Sequence, residues 1–223
     1  MNNAERNFIF TNGTHLQVGT IYCIGRNYSA HALEMGAEVP EKPLVFIKPP
    51  AAYMYGQNAI IQRPEYSQEM HHEAELVVVI GEDVPHDAGD EIGNYICGYG
   101  IGLDLTLRDV QSIAKQKGEP WSISKSFKGS APISTIVPVS DFSTMYPQLT
   151  FSLSVNGIVK QVGNTDLMER SIPSLLKYIS SVFSLRKGDC IFTGTPQGVG
   201  PLLSGDNIQA RLDSYITMNC SVL

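Results

Sequence analysis

Residues 71–80 read His71-His72-Glu73-Ala74-Glu75-Leu76-Val77-Val78-Val79-Ile80, and no other stretch of the chain is as informative. The run from Ala74 to Ile80 is apolar and rich in β-branched residues, which predicts a buried strand. Side chains two residues apart point to the same face of a strand, so Glu73 and Glu75 are expected side by side. Two like charges entering an apolar strand are unfavourable without a cation or a shared proton. An edge strand with solvated glutamates is the alternative.

A third carboxylate follows a second predicted strand, from Tyr95 to Asp104. Glycines 98, 100 and 102 share a face with Asp104, and glycine within a strand marks the close approach of a backbone or a ligand. Their spacing is not the Gly-x-Gly-x-x-Gly dinucleotide motif. Asp104 either caps the following helix or joins Glu73 and Glu75 around a hard cation, with magnesium favoured over manganese or calcium.

Three further positions are candidates for chemistry. His31 and Glu34 share one face of a short helix predicted from Ser29 to Met35, where a carboxylate could orient an imidazole that activates water; a surface pair is the alternative. Lys125 is either a solvated lysine or a partner for a substrate carboxylate or oxyanion. The glycine-rich loop 194–200 lacks the Lys-Ser/Thr pair of a P-loop. It either presents the Thr195 hydroxyl and backbone amides to a small anion or is a simple turn.

The remaining pattern predicts an α+β fold dominated by sheet. Asn-Gly pairs at positions 12–13 and 156–157 indicate hairpins. Residues 44–48 form a predicted short buried strand, and the alternation from Ile208 to Val222, interrupted at Ser214, indicates two half-buried strands. Helices are predicted over 105–117 and 173–183. We expect a single domain over 20–223, preceded by an extension with a hairpin over 1–19.

Composition excludes several classes of protein. The 223 residues carry 16 basic and 22 acidic side chains, a net charge of −6, which disfavours nucleic-acid binding. No apolar run approaches the ~20 residues of a membrane-spanning helix, and the first residues do not resemble a signal peptide. The four scattered cysteines predict free thiols in a reducing compartment. We therefore expect a cytoplasmic protein without nucleic-acid or membrane partners.

Taken together, the motifs resemble the fumarylacetoacetate hydrolase family, especially its short acylpyruvase-like members. They occur in family order and span Thr20 to Leu212, which makes the ordered set specific. Lys128 departs from the pattern, since many relatives have aspartate there. The motifs are Gly25-Arg26-Asn27-Tyr28 with His31 and Glu34, His72-Glu73-Ala74-Glu75-Leu76, Gly102-Leu103-Asp104, Arg108-Asp109, Lys125-Ser126-Phe127 and Gly194-Thr195-Pro196-Gln197-Gly198-Val199-Gly200.

The resemblance implies a mixed β-sandwich roll with a few peripheral helices, a homodimer and a magnesium or manganese ion. It implies that Glu73, Glu75 and Asp104 are the metal ligands. His31 and Glu34 would be a water-activating dyad on a lid. Lys125 would lie near the substrate, and Arg26 and Thr195 would line its pocket.

These roles predict hydrolytic C–C cleavage of a 2,4-diketo acid, an acylpyruvate or fumarylpyruvate, to pyruvate and a carboxylic acid. Three carboxylates and a divalent ion leave about −1, which Arg26 or Lys125 would offset. His31 would take the proton of the attacking water while the metal acts as a Lewis acid. The alternative at the same site is oxaloacetate decarboxylation or keto–enol tautomerisation. A nuclease and a non-catalytic binder of small acids are alternatives from other classes.

Overall fold

The computed structural model of the protein describes residues 6–36 and 38–223, so the first five residues of the predicted extension lie outside the described part. The described strands, in chain order, are β1 (Asn7–Ile9), β2 (His15–Gln17), β3 (Ile21–Gly25), β4 (Leu44–Lys48), β5 (Tyr53–Tyr55), β6 (Ala59–Ile61), β7 (Met70–His72), β8 (Ala74–Ile80), β9 (Ile96–Leu103), β10 (Thr106–Leu107), β11 (Ala131–Ile133), β12 (Val137–Pro138), β13 (Thr150–Val155), β14 (Ile158–Asn164), β15 (Cys190–Phe192), β16 (Gly200–Pro201), β17 (Asn207–Leu212) and β18 (Ile216–Val222).

Helices in the described ranges are few and short. They are α1 (Ser29–Glu34), α2 (Arg108–Lys117), α3 (Ser122–Lys125) and α4 (Ile172–Val182), with short 3-10 helices at Pro50–Ala52, Gly89–Tyr95, Val139–Asp141 and Thr165–Leu167. Among the residues described, none of these helices is both long and apolar enough to cross a membrane.

The largest sheet curls back on itself. Its strand order is β4-β3-β15-β8-β9-β11-β5, with β12 paired to β9. Seven strands about 4.8 Å apart would separate the outer two by roughly 29 Å in a flat sheet. Lys48 ends β4 and Tyr53 begins β5, and five extended residue steps span at most about 18 Å. The sheet must therefore roll up, which brings β4 and β5 toward each other.

A second sheet, with order β14-β13-β17-β18-β6, packs on the middle of the first. Strands β13, β17 and β18 contact β8 and β9, and one apolar cluster runs between the two sheets. Small sheets β10-β7-β16 and β1-β2 complete the described architecture. This arrangement confirms the predicted sheet-dominated sandwich roll with peripheral helices.

Strand β8 is buried on both faces, which is why its sequence is almost continuously apolar. Leu76 and Val78 belong to the cluster between the two sheets, whereas Val77 and Val79 belong to a second cluster inside the roll. The predicted hairpin β1-β2 contributes Phe8 to this second cluster. The core thus encloses the strand that carries the acidic motif.

The glycine stripe of β9 makes room mainly for protein side chains, and only Gly98 shows the backbone approach that was one of the two uses expected. A Cβ at Gly100 would lie 2.7 Å from Ile136 Cδ1, and one at Gly102 would lie 2.6 Å from the Phe192 ring. Gly98 is approached by the carbonyl oxygen of Val137. The stripe therefore packs the interior of the roll, and no ligand site is needed to explain it.

Both hairpins are confirmed, with one difference. At 156–157 both residues have positive φ (51° and 78°), as a type I′ turn requires. The strands of the first hairpin pair Asn7 with Gln17 and Ile9 with His15, so its loop is longer and only Gly13 has positive φ. The C-terminal alternation is also confirmed, since β17 and β18 pair antiparallel around a turn centred on Ser214.

The helix predicted over 105–117 begins later than expected. Thr106 pairs with His71 and Leu107 with Met70, so these residues form strand β10, and the helix begins at Arg108. Its end at Gly118, with φ of 69°, agrees with the prediction. Helix α3 was not predicted. The β4 strand was expected to be buried, but most of its residues are only half-buried.

Gly102→Ala is expected to destabilise the fold by about 1–3 kcal/mol, because the new methyl group overlaps the Phe192 ring and the core must shift. Urea unfolding followed by circular dichroism measures the change in free energy of unfolding. Thr217→Ala, on the exposed face of β18, is the control and should change it by less than about 0.5 kcal/mol. Equal stability of the two variants would contradict the packing described for β9.

Candidate active site

Strand directions bring four chain segments to one end of the large sheet. Strands β3 and β15 are parallel, so the segments that follow Gly25 and Phe192 leave at the same end. Strand β8 is antiparallel to β15, and β9 is antiparallel to β8. The start of β8 and the end of β9 therefore lie there too. The Arg26–Glu34 segment, the acids of β8, Asp104 and the Thr195 loop meet because of this topology.

The three carboxylates converge as the sequence predicts. Glu75 pairs with Gly102 across the β8–β9 ladder, and the Asp104 amide donates to the Glu73 carbonyl oxygen at 2.8 Å. One oxygen from each of Glu73, Glu75 and Asp104 lies within 4.8 Å of the others, and all three residues are buried. Asp104 does not cap helix α2, whose N-cap is Leu107. The acids thus form a single buried cluster.

Three cations contact this cluster. Lys125 Nζ lies 2.7 Å from Glu73 Oε2 and 2.6 Å from Asp104 Oδ2. Arg108 Nη2 lies 2.5 Å from Glu73 Oε1, and Lys48 Nζ lies 2.8 Å from Asp104 Oδ1. When all three carboxylates are ionised, the three cations match them in charge. The charge predicted from the sequence, about −1 with a divalent ion and offset by Arg26 or Lys125, did not include Lys48 and Arg108.

The cations act unequally on the pKa values of the cluster. Burial by itself would raise the pKa of Glu73, but Lys125 and Arg108 hold that pKa well below its usual range. Burial, with the Asp104 and Glu73 carboxylates, raises the pKa of Glu75 well above its usual range. Burial disfavours the charged Lys125, yet Asp104 and Glu73 raise the pKa of its ammonium group.

The donor set fits a hard divalent cation. It offers carboxylate oxygens from three side chains on two adjacent strands, the chemistry that Mg²⁺ and Mn²⁺ prefer. The Gly194 amide donates to Glu75 Oε2 at 2.6 Å and fixes the direction of that side chain. Each of the three carboxylates is also held by a contact with another part of the chain, as is typical of metal sites.

His31 and Glu34 form the predicted pair. His31 Nδ1 lies 3.2 Å from Glu34 Oε2 on one face of α1, and His31 is buried at the cleft. The Gly198 amide donates to both Glu34 oxygens, at 3.0 and 3.2 Å. Glu34 therefore connects the helix to the Thr195 loop, and this contact was not predicted.

The Thr195 loop differs from the small-anion site considered for it. The Thr195 hydroxyl donates to the Ala74 carbonyl oxygen at 2.9 Å and accepts a hydrogen bond from Gln161 Nε2 at 2.8 Å. The Gly194 and Gly198 amides bind carboxylates of the protein itself. The backbone amides of this loop thus position site residues, and Thr195 still lines the cleft.

Arg26 enters the cleft from a constrained turn. Its φ of 59° lies in the left-handed region, which costs energy for a residue other than glycine. The turn is anchored by Asn27, whose Nδ2 donates to the Thr193 carbonyl oxygen at 2.9 Å. Arg26 lines the same cleft of about 470 Å³ as the acid cluster, together with Arg108, Lys115 and Trp121. Basic side chains therefore surround the acids.

Every predicted site residue lines this one cleft except Glu34, which reaches it through His31. Lys48 and Gln161 were missed, and Arg108 was noted only as part of a motif. Lys48 is a lone lysine at the end of an apolar strand. Its position there is the only sign in the sequence that it is buried and paired, and it is a weak one. Nothing in the sequence near Gln161 distinguishes it from an ordinary polar strand residue.

The chain belongs to the fumarylacetoacetate hydrolase family. The family model for the fumarylacetoacetate (FAA) hydrolase C-terminal region matches residues 20–223. The confirmed fold and the acid cluster agree with that membership.

Similar proteins with named activities include oxaloacetate tautomerases and a fumarylpyruvate hydrolase. The chain is 41% identical over 198 residues to oxaloacetate tautomerase YcgM of Escherichia coli, covering 89% of this chain and 90% of that protein. It is 41% identical over 205 residues to the human mitochondrial oxaloacetate tautomerase FAHD1, covering 91% and 90%. The structure of fumarylpyruvate hydrolase from Pseudomonas aeruginosa, in complex with Mn²⁺ and pyruvate, superposes with a TM-score of 0.90. It is 33% identical and covers 100% of this chain and 97% of that one.

Lys48→Met is expected to lower the free energy of unfolding by about 3 kcal/mol, because Asp104 loses one of its two buried cationic partners. The ammonium group is 0% exposed and also donates to the carbonyl oxygens of Lys125 and Ser130, which would lose a donor. Chemical denaturation measures the change. Lys128→Met, an exposed lysine nearby, should be within about 0.5 kcal/mol of the unmodified protein.

Proposed function

We propose that the protein is a metal-dependent enzyme that interconverts the keto and enol forms of oxaloacetate. Two relatives about 41% identical over nine-tenths of their length carry that name. The observation that carries the proposal is the charge balance of the acid cluster. With all three carboxylates ionised, the three contacting cations cancel their charge, so a bound divalent ion would leave two positive charges that a dianionic substrate would neutralise.

The charge of the cluster with a divalent ion favours some of the substrates considered over others. Oxaloacetate and fumarylpyruvate each carry two carboxylates, whereas a simple acylpyruvate carries one and would leave a buried positive charge. Unpaired buried charge is costly, so dicarboxylates are favoured. Arg26 and Lys115, which line the cleft, strengthen the preference.

Glu73, Glu75 and Asp104 would hold the ion, with magnesium or manganese proposed and calcium as a third choice. When bound, the ion polarises the 2-oxo carbonyl group as a Lewis acid. Lys125 directs Glu73 and Asp104 toward the same point through its contacts of 2.7 and 2.6 Å, and it lowers the pKa of Glu73. Arg108 restrains the other oxygen of Glu73.

His31 is the proposed general base. Its Nδ1–H donates to Glu34, which leaves the lone pair on Nε2 and stabilises the imidazolium that forms. Nε2 takes a proton from C3 of oxaloacetate, the C3–H electron pair forms the C2–C3 double bond, and the carbonyl pair moves to the C2 oxygen. Return of the proton to that oxygen gives the enol, and the reverse sequence gives the ketone.

Hydrolysis of fumarylpyruvate is the second candidate. The structural likeness to the Pseudomonas enzyme favours it, and its substrate is also a dianion. In that reaction His31 would instead take a proton from water attacking the distal carbonyl group. The same residues would serve both reactions, so the reaction that occurs depends on which substrate the cleft binds.

A substrate panel tests the proposal. With added Mg²⁺ or Mn²⁺, the purified protein should accelerate decay of the ultraviolet absorbance of enol-oxaloacetate, and EDTA should abolish the acceleration. Fumarylpyruvate should react more slowly, and acetylpyruvate least. Pyruvate release from fumarylpyruvate without any effect on oxaloacetate would establish the second candidate. No turnover of any of the three, with ligand binding retained, would indicate a non-catalytic binding protein.

His31→Ala is expected to lower kcat by about 100-fold or more, because the general base is lost. The metal-binding carboxylates keep their contacts, so the Kd for Mn²⁺, measured by calorimetry, should change less than twofold. His15→Ala, on the exposed strand β2, is the control and should leave both values unchanged. Parallel loss of metal binding and turnover in His31→Ala would contradict its role as the base.

The proposal retains two predictions made from the sequence, a homodimer and a cytoplasmic location. Light scattering coupled to size-exclusion chromatography measures the first, and a tagged chain imaged in its cell of origin locates the second.

A further inference from the structure

Gln161 reaches the active site from the opposite sheet of the sandwich. It lies on β14, the outer strand of the five-stranded sheet, and is 1% exposed. Its neighbours on the strand, Lys160 and Val162, are exposed, so Gln161 alone of the three turns inward. A buried amide must have its hydrogen-bonding groups satisfied, and here the partners belong to the site.

The amide connects two segments. Its Oε1 accepts from the Ala74 amide and from His72 Nδ1, both at 3.0 Å. Its Nε2 donates to Thr195 Oγ1 at 2.8 Å and to the Pro196 carbonyl oxygen at 2.9 Å. The Thr195 hydroxyl in turn donates to the Ala74 carbonyl oxygen at 2.9 Å. Gln161, Thr195 and Ala74 thus form a closed ring of hydrogen bonds.

These partners fix the orientation of the amide without ambiguity. The Ala74 amide can only donate and the Pro196 carbonyl can only accept, so the oxygen and nitrogen of Gln161 cannot be exchanged. His72 must then carry its proton on Nδ1, since it faces an acceptor. The tautomer of His72 therefore reports whether the contact is present.

Both connected segments carry site residues. Ala74 lies between Glu73 and Glu75 in the sequence. The hydrogen bonds that hold its backbone therefore also fix the spacing of these two proposed metal ligands. The loop held through Pro196 includes the Gly194 amide on Glu75 and the Gly198 amide on Glu34. The loop also rests on β14 itself, since a Cβ at Gly198 would lie 2.1 Å from the Lys160 carbonyl oxygen.

We propose that Gln161 is a positioning residue that holds the ligand strand and the Thr195 loop at a fixed separation, and so sets the geometry of the metal ligands and of the His31–Glu34 pair. It touches neither the reacting atoms nor the ligand oxygens. The predicted effect of Gln161 on kcat rests on the proposed function. Its predicted effects on Mn²⁺ binding and on the tautomer of His72 do not.

Gln161→Leu tests the proposal, with Gln209→Leu as the matched control. Gln209 is a half-buried glutamine in the same sheet, on β17, and its side chain bonds to Asn219 away from the site. Gln161→Leu should weaken Mn²⁺ binding by about 10-fold or more, the usual effect of losing a group that holds a ligand, and should lower kcat more than it changes KM. Gln209→Leu should stay within twofold of the unmodified protein in all three quantities.

Nitrogen-15 NMR of the metal-free protein gives a readout independent of catalysis. Of the five histidines, His72 should show the Nδ1–H tautomer in the unmodified protein and in Gln209→Leu, and should lose this signature in Gln161→Leu. If Gln161→Leu does not fold, Gln161→Asn keeps the amide but is one methylene too short to reach both segments, and it should weaken Mn²⁺ binding at least threefold.

Two results overturn the proposal. One is an Nε2–H tautomer of His72 in the unmodified protein, which needs no variant to observe. The other is a folded Gln161 variant whose Kd for Mn²⁺ and kcat match those of Gln209→Leu. Absence of oxaloacetate turnover in the unmodified protein would refute the proposed function. The role of Gln161 would still be tested by the Mn²⁺ binding and NMR measurements.

Discussion

The structure depends on the pairing of β8 with β9, which places Glu75 opposite Gly102 and Asp104 opposite Glu73. Because side chains alternate along a strand, a register shift of one residue would turn these acids to the other face of the sheet. Three carboxylates held together away from water repel one another and lose hydration. Such a cluster needs compensating positive charge or a bound proton, and Lys48, Lys125 and Arg108 supply positive charge by direct contact.

The roll of the large sheet supplies one of those cations. Lys48 ends β4, which is separated from β8 by two strands in the sheet order and so could not reach Asp104 across a flat sheet. Curling turns the Lys48 side chain into the interior, where it meets Asp104 and the carbonyl oxygens of Leu105, Lys125 and Ser130. The curl is in turn enforced by the short connection through Pro50–Ala52. Lys48 can thus compensate the charge of Asp104 only because the large sheet is rolled.

Sequence analysis recovers what is encoded locally. The acids on β8, the acid after β9 and the His31–Glu34 pair were found because strand and helix periodicities determine which side chains share a face. The beginning of helix α2 was misplaced, because pairing of Thr106 with His71 overrides the local helical pattern. Lys48 and Gln161 were missed because their partners lie 56 to 82 and 34 to 89 residues away along the chain, and no local pattern records such distances. One of the two alternatives considered for the loop 194–200 gave its amides to a small anion, although Glu75 and Glu34 occupy the Gly194 and Gly198 amides.

The carboxylate of Glu34 joins two chain segments, since it accepts from the Gly198 amide while it holds the imidazole of His31. Helix α1 has only six residues and cannot rely on its own backbone for rigidity. Because His31 and Glu34 both lie on this helix, moving it outward to admit a molecule would carry the two side chains together and would break the contact between Glu34 and the Gly198 amide. The pair would then stand at the cleft only while the helix rests on the Thr195 loop.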